Sequence, residues 1–267
     1  MLTNDQIQYF HTFGFVALPG LLGGDRASAL AAEVDSAIRD AYTATYDERV
    51  IDGISGHYLP MASALTPIST SLVCDDPVLV DAAEGLLGGP VLPSVPEGAL
   101  YFAEAGWHND DGIGVRGVKF ATYFEPLNAE NGALRFVPCS HHPDAQLALC
   151  SYQRAGHDDY PGVVVDSQPG DVVAFDLHSF HSSVGGTDRL AWAIEYLANP
   201  TSDEERDKTL RWLADAFEQE FRGFDLQRFP TWRDWIANPD HLPRRAEVIE
   251  RMRSTGVFDL AGAELGR

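Results

Sequence analysis

The sequence predicts a mainly β domain, of sandwich, jelly-roll or barrel type, with helices before and after it. Between residues 98 and 199, short runs rich in β-branched and aromatic residues are separated by Asn-Gly, Pro-Gly and Gly-Gly turns. Outside that span, apolar residues recur at three- and four-residue spacing behind capping signals. The plan expected for the 267 residues is a single domain. It has N-terminal helices and a lid over 1–97, a β core over 98–199 and C-terminal helices over 200–267.

Each element follows from local chemistry. Thr3-Asn4-Asp5-Gln6 has the form of a capping box, with Ile7, Phe10 and His11 at helical spacing behind it. Gly14 should end that helix and release the strand Phe15-Val16-Ala17-Leu18. Asp25 to about Ala41 is alanine-rich, with Leu30, Val34 and Ile38 on one stripe. Residues 43–72 mix Asp, Gly, Ser, Thr, Pro and His without a clean period, and an unstructured stretch of that length reads as a lid. Within it, His57 and Tyr58 are candidates either to meet a substrate or to be solvated. Pro77 to Leu87 reads as a helix capped by Asp75 or Asp76 and stopped by Gly88-Gly89-Pro90.

The strands expected in the core are Ala99–Ala103, Val118–Phe124, Ala133–Val137, Gly162–Val165, Asp171–Phe175 and Leu190–Ala198. Ser202-Asp203-Glu204-Glu205 is a second capping box, followed by the stripe Leu210, Leu213, Phe217 and Phe221. A last helix should run from Arg244 to Ser254, with Trp212, Trp232 and Trp235 as packing aromatics.

Composition excludes some partners. The net charge is −21, and no lysine- or arginine-rich run is present. Such a surface repels phosphate backbones and anionic lipid, so neither nucleic acid nor membrane is expected as a partner. An anionic ligand would need a local cationic pocket. Cys74, Cys139 and Cys150 are an odd, widely spaced set, which suits reduced thiols in a cytoplasm. No signal-peptide pattern opens the chain, and no apolar run is long enough to span a bilayer, so a cytoplasmic, soluble protein is expected. Oligomeric state is not legible.

Three features carry chemistry. In Trp107-His108-Asn109-Asp110, an extended backbone would point His108 and Asp110 the same way, so both could grip one metal ion. By itself His-x-Asp is more often an ordinary surface turn than a metal site. In Gly170-Asp171-Val172-Val173-Ala174-Phe175-Asp176-Leu177-His178-Ser179-Phe180-His181, an apolar strand ends near two histidines. Two histidines and a carboxylate leave half of an octahedral iron open, as in the facial triad of Fe(II) oxygenases. His181 shares strand parity with Val173, Phe175 and Leu177 and is favoured as third ligand, with His178 as the alternative. Arg189, eight residues on, opens an apolar strand, where a guanidinium suits bidentate pairing with a carboxylate. The 2-oxoglutarate dianion needs this: its keto acid end chelates iron while its far carboxylate needs a cation.

The chain resembles the phytanoyl-CoA dioxygenase family of Fe(II)/2-oxoglutarate oxygenases. The resemblance runs from Trp107 through Tyr196. It rests on Trp107-His108-Asn109-Asp110, on Phe124-Glu125-Pro126-Leu127-Asn128-Ala129-Glu130-Asn131-Gly132-Ala133-Leu134, on Val137-Pro138-Cys139-Ser140-His141, and on Gly170-Asp171 with Phe175, His181 and Arg189. It implies a double-stranded β-helix core, a jelly roll of cupin type. It further implies iron held by His108, Asp110 and His181, and 2-oxoglutarate held by Arg189 with Ser183 nearby. The co-substrates would be 2-oxoglutarate and O2, acting on a small-molecule substrate. Lys119, in the next strand, would either touch 2-oxoglutarate or substrate or face solvent. Asp110 bears on outcome: relatives that halogenate lack a carboxylate there, so oxygen transfer is expected here, by hydroxylation or by desaturation, ring closure or epimerisation. A jelly-roll binding protein without turnover is the rival, and it would have no use for Arg189.

The chain departs from the family pattern twice. Cys139 stands where the family usually has glycine, so the turn is expected to be remodelled. The gap from His181 to Arg189 is short and is expected to shift the arginine's approach. His141 reads as a turn-stabilising hydrogen bonder, and Asp111 should point away from Asp110. No basic cluster suits the phosphates of CoA; a small metabolite of a biosynthetic pathway is the expected substrate.

Overall fold

Side-chain alternation builds the centre of the molecule. In a computed structural model of the chain, residues 1–48, 55–111, 114–218 and 242–260 are described, with side chains of 215–218 left aside. The long strand β11 (Arg189–Ala198) turns Trp192, Ile194 and Tyr196 to one face and Ala191, Ala193 and Glu195 to the other. It lies at the middle of a seven-stranded sheet with β1 (Phe15–Leu18), β2 (Gly56–Pro60), β3 (Val91–Pro93), β4 (Glu97–Tyr101), β6 (Gly117–Tyr123) and β9 (Val172–Asp176). Their order is β1-β9-β6-β11-β4-β2, and β3 pairs with the far half of β11. A smaller sheet, ordered β5-β10-β7-β8, holds β5 (Ala105–His108), β7 (Leu134–Phe136), β8 (Val163–Val165) and β10 (His181–Ser183). Every pairing between these strands is antiparallel. The two sheets face each other as a jelly roll.

Helices cover the outer face of the large sheet. They are α1 (Asn4–Phe13), α2 (Gly24–Ala41), α3 (Pro67–Leu72), α4 (Pro77–Leu87) and, near β3, α7 (Pro243–Thr255). Trp192 and Tyr196 are fully buried under them, with Trp192 Nε1 donating to Ser69 Oγ at 2.7 Å and Tyr196 OH to the Val73 carbonyl at 2.8 Å. Each ring removes roughly 150–250 Å² from water, on the order of 4–6 kcal/mol as an upper bound, and its polar atom is satisfied. The Thr3–Gln6 capping box opens α1, and Gly14 at φ 87° closes it. Asp76 caps α4, and Gly88 ends it.

The inner face holds Phe15, Phe175 and, from the small sheet, Phe136, with centroids 4.5 Å apart for Phe15–Phe136 and 5.2 Å for Phe136–Phe175. These rings join the sheets at one end. Ala99, Ala121, Ala191 and Ala193 lie on the same inner face in direct register, Ala191 opposite Ala99 and Ala193 opposite Ala121. They bring only methyl groups to the space between the sheets.

Three expectations change. Residues 43–72 are not one lid: 56–60 form edge strand β2, paired with β4, and 67–72 form α3, while 49–54 lie outside the described residues. Gly56 and Pro60 disguise the strand because a turn former stands at each of its ends. His57 is neither solvated nor free: it is buried, stacked on Tyr42 and donates from Nε2 to the Thr45 carbonyl at 3.0 Å. The helix α5 (Pro143–Arg154) interrupts the β region, and none of its side chains is buried, so it lacks an apolar stripe to read. After Pro200, α6 (Asp203–Glu218) forms behind Ser202, whose Oγ accepts from Glu205 N at 3.2 Å. Phe221, Trp232 and Trp235 lie outside the described residues. Among the described residues, no helix is long and apolar enough to cross a membrane, and the three cysteines are free thiols.

The Pro-Cys-Ser-His turn is kept rather than remodelled. Cys139 takes φ 62°, the left-handed conformation glycine would supply. The turn is held because Cys139 N donates to Phe13 O at 3.0 Å and Ser140 Oγ accepts from Phe180 N at 2.7 Å. A left-handed non-glycine residue costs about 1–2 kcal/mol, partly offset in a glycine variant by about 0.5–1 kcal/mol of extra chain entropy. Cys139→Gly is therefore expected to raise Tm by roughly 1–3 °C. An unchanged or lower Tm on thermal unfolding would mean the cysteine is unstrained there.

Candidate metal centre

His108 ends β5 and His181 begins β10, and the two residues are direct cross-strand partners. That pairing brings the imidazole centroids to 4.3 Å. Asp110 lies two residues past His108, in a bend fixed by Asp110 N donating to Leu177 O at 2.9 Å. Its Oδ1 is 3.5 Å from His108 Nε2 and 3.8 Å from His181 Nε2. One ligand atom from each of the three lies within 4.8 Å of the other two.

The tautomers suit a metal. His108 Nδ1 donates to Gly106 O at 2.7 Å, and His181 Nδ1 donates to Ser179 O at 2.9 Å. A carbonyl can only accept, so each Nδ1 carries the proton and each Nε2 keeps its lone pair toward Asp110. Burial pushes His181 down to about 4, so its ring is neutral at pH 7. His108 is raised instead, chiefly by the Asp110 carboxylate beside it. Side-chain exposure runs from 45% at His108 through 16% at Asp110 to 7% at His181, so the cluster opens on the His108 side.

Lys119, on the inner face of β6, completes the cluster. Its Nζ is 3.3 Å from Asp110 Oδ2 and 3.0 Å from Glu195 Oε1. Burial opposes the charge on both groups. The Asp110 and Glu195 carboxylates nonetheless hold Lys119 well above the lysine range, and Lys119 with the two histidines holds Asp110 well below the carboxylate range. Asp110 Oδ2 is buried without a hydrogen bond, because Lys119 approaches at ion-pair distance but outside hydrogen-bond geometry. A carboxylate whose Oδ1 faces two imidazole nitrogens, and whose Oδ2 is buried without a hydrogen bond, fits a cation.

Arg189 opens β11 opposite Tyr101 and is 2% exposed. Its guanidinium donates to Gly132 O at 3.2 Å, to Ala103 O at 2.8 Å and to Ser183 Oγ, while Nε is buried and unbonded. Among the described residues, no carboxylate lies at ion-pair distance from it. Gly132, at φ 97°, makes the approach feasible: a Cβ there would lie 2.6 Å from Arg189 Cδ. The short link from His181 is absorbed by left-handed Gly185, Gly186 and Asp188.

The sequence pattern of the phytanoyl-CoA dioxygenase (PhyH) family matches residues 10–187. The chain belongs to this family. Two curated relatives are the ectoine dioxygenases of Bordetella parapertussis (strain 12822) and Bordetella bronchiseptica (strain RB50). Each is 30% identical over 154 residues, 52% of this chain and 50% of the relative. The chain thus spans about half the length of the curated relatives it matches. Among solved structures, AviO1 from Streptomyces viridochromogenes Tue57 aligns with TM-score 0.60 at 24% identity, over 76% of this chain and 98% of its own. The alpha-ketoglutarate-dependent epimerase SnoN of nogalamycin biosynthesis aligns at 0.59 and 22%, over 73% and 82%. EctD from S. alaskensis aligns at 0.56 and 22%, over 74% and 78%. At these identities the likeness is one of fold.

In this PhyH-family chain, the structure brings His108, Asp110, His181 and Lys119 into one cluster and sets Ser183 against Arg189. His181 reaches the site by a different route from strand parity. β9 stops at Asp176, and the chain crosses to the small sheet before His181. His178 stays outside the cluster, its Nε2 2.9 Å from Asp111 and its Nδ1 2.8 Å from Asp176. Asp111 indeed faces away from Asp110 and accepts from Gly114 N and Val115 N at 2.8 and 2.7 Å. His141 Nε2 donates to His11 O at 3.2 Å, as a turn residue would.

Hydrogen bonds to Asp111 and then Asp176 push His178 up to about 9. Its folded value exceeds the unfolded one near 6.5, so this contribution is complete below pH 6.5 and is lost as pH rises through 9. Up to about 3 kcal/mol is involved. Denaturant unfolding at pH 6.5 and 9.5 should show that loss in the wild type and much less of it in His178→Asn; equal losses would remove the pair from the account.

Sequence reasoning missed Glu97, Glu195 and Tyr101 as inner-face residues, and Gly132 as the gap that admits Arg189; Tyr58 stands out in the sequence, but as part of a lid rather than of a strand. A carboxylate inside the apolar run Ile194-Glu195-Tyr196 was the legible signal.

Proposed function

We propose that this chain is an Fe(II)- and 2-oxoglutarate-dependent dioxygenase that hydroxylates a small biosynthetic metabolite. His108, Asp110 and His181 would hold the iron. Arg189, with Ser183 beside it, would hold the distal carboxylate of 2-oxoglutarate. The observation that carries this reading is Arg189: a buried guanidinium with no carboxylate partner among the described residues, on the same sheet face as Lys119, which pairs with Asp110 of the His/Asp/His cluster. Burying an unpaired charge is costly, and a diacid resting on it removes the cost. A binding module without turnover gives no reason for that arrangement.

When bound, iron and 2-oxoglutarate supply the oxidant for substrate C–H bonds, with O2 consumed and succinate and CO2 released. The protein's own residues do the rest. The three ligands lie to one side, so positions remain open. Lys119 keeps Asp110 ionised, and Phe136 and Phe175 exclude water behind His181. Desaturation, cyclisation and epimerisation are alternative outcomes at this site; SnoN and the carbocyclase SnoK, both of similar fold, are named for two of them. Free thiols and the acidic surface agree with a cytoplasmic enzyme.

Anaerobic addition of Fe(II) and 2-oxoglutarate should produce a visible metal-to-ligand absorption band, and aerobic incubation should release succinate. No band and no succinate would refute the proposal.

A further inference from the structure

The inner face of the large sheet carries one more charge than this chemistry uses. Arg189 is assigned to the diacid. Lys119 lies between Asp110 and Glu195, and Glu195 also accepts from Ser94 Oγ at 2.5 Å. Glu97 is left over. It begins β4 opposite Ala193, on the same face as Lys119 and Glu195. Among the described residues its carboxylate has neither a hydrogen bond nor an ion pair. It lies deep in the protein yet keeps part of its surface open. Burial lifts it to about 7, against the opposing pull of Lys119 and with Glu195 and Asp110 adding to the lift.

Its surroundings suit a ligand. Ala99, Ala121, Ala191 and Ala193 present only methyl groups on the same face beside it. Tyr58 and Tyr101 stand on the same face, edge to face at 5.5 Å. The strand register sets Tyr58, Glu97, Lys119 and Arg189 on one face of the large sheet, and Tyr58 lies within the electrostatic reach of the other three. The net charge of −21 draws small cations toward the protein.

We propose that the substrate carries a protonated amine, which docks on Glu97 beside Tyr58 and Tyr101 while its carbon skeleton rests on the four alanines. An ammonium gives Glu97 the charge-assisted partner it lacks, and tyrosine rings stabilise a desolvated cation. The inference rests on the oxygenase reading for the position of the reacting carbon, and on Glu97 alone for the ammonium.

The test uses three probes built on one six-membered ring: piperidine (protonated at neutral pH), its neutral isostere tetrahydropyran, and the anion cyclohexanecarboxylate. Each is titrated into protein loaded anaerobically with Fe(II) and 2-oxoglutarate, reading the shift of the visible band, and then into aerobic assays, reading succinate. Piperidine should act at concentrations about tenfold or more below tetrahydropyran, and the carboxylate should be weakest. Glu97→Gln should shrink the amine preference to about twofold, and Glu97→Asp should keep most of it, with Tm checked for each variant. If Glu97→Gln does not fold, the wild-type probe comparison and Glu97→Asp decide. Equal action of amine and ether, no response to the amine, or full preference in Glu97→Gln would overturn the proposal. If no band forms, the iron reading falls, and calorimetry of the same probes on wild type and variants still decides the ammonium.

Discussion

Arg189→Ala is expected to weaken 2-oxoglutarate binding by about a hundredfold or more while leaving iron content unchanged. Removing one partner of a buried charge pair costs about 2–5 kcal/mol, which spans that factor and beyond. The effect should be specific because Arg189 touches none of the three proposed iron ligands: its bonds go to Gly132, Ala103 and Ser183. Arg189→Lys should recover little, since an ammonium cannot reproduce the fork that Gly132 admits. The measurement is an anaerobic 2-oxoglutarate titration of the visible band. Wild-type affinity in Arg189→Ala would move the diacid elsewhere.

The second large effect is expected at Asp110. Asp110→Ala removes the carboxylate between the two imidazole lone pairs and also strips Lys119 of one of its two counter-ions. Two histidines alone leave the site a ligand short, with a lysine charge nearby that repels a cation. Iron content after anaerobic loading should fall at least about tenfold, and succinate release should be lost. Glu195 still pairs with Lys119 in the variant, so the fold should hold, and a normal Tm would separate lost metal from lost structure. Full iron content in folded Asp110→Ala would exclude the carboxylate from the ligand set.

Much of this was legible because local chemistry and tertiary structure agree. Thr3 and Gln6 announce α1, and the alternation Leu-Ala-Trp-Ala-Ile-Glu-Tyr-Leu announces β11 on its own. The site was legible for a different reason: imidazoles, a carboxylate and a guanidinium are few enough that their order constrains their use. What stayed hidden depends on partners distant in sequence. β10 is three residues, His-Ser-Ser, too short and polar to show a period, and it exists because Phe136 and His108 flank it. β2 carries Gly56 and Pro60 and is a strand only because β4 pairs with it. Glu97 lies two residues before the expected start of its strand, so its inward parity could not be read until β4 was known to begin there.

The imidazoles ride on the small sheet, whereas the guanidinium and the lysine ride on the large one. The span between the half proposed to hold the metal and the half proposed to hold the diacid is therefore a gauge set by the rings of Phe15, Phe136 and Phe175 wedged between the sheets. Trimming such a ring would alter the reach demanded of one molecule that must touch both halves, though none of those rings bears a group that either half employs.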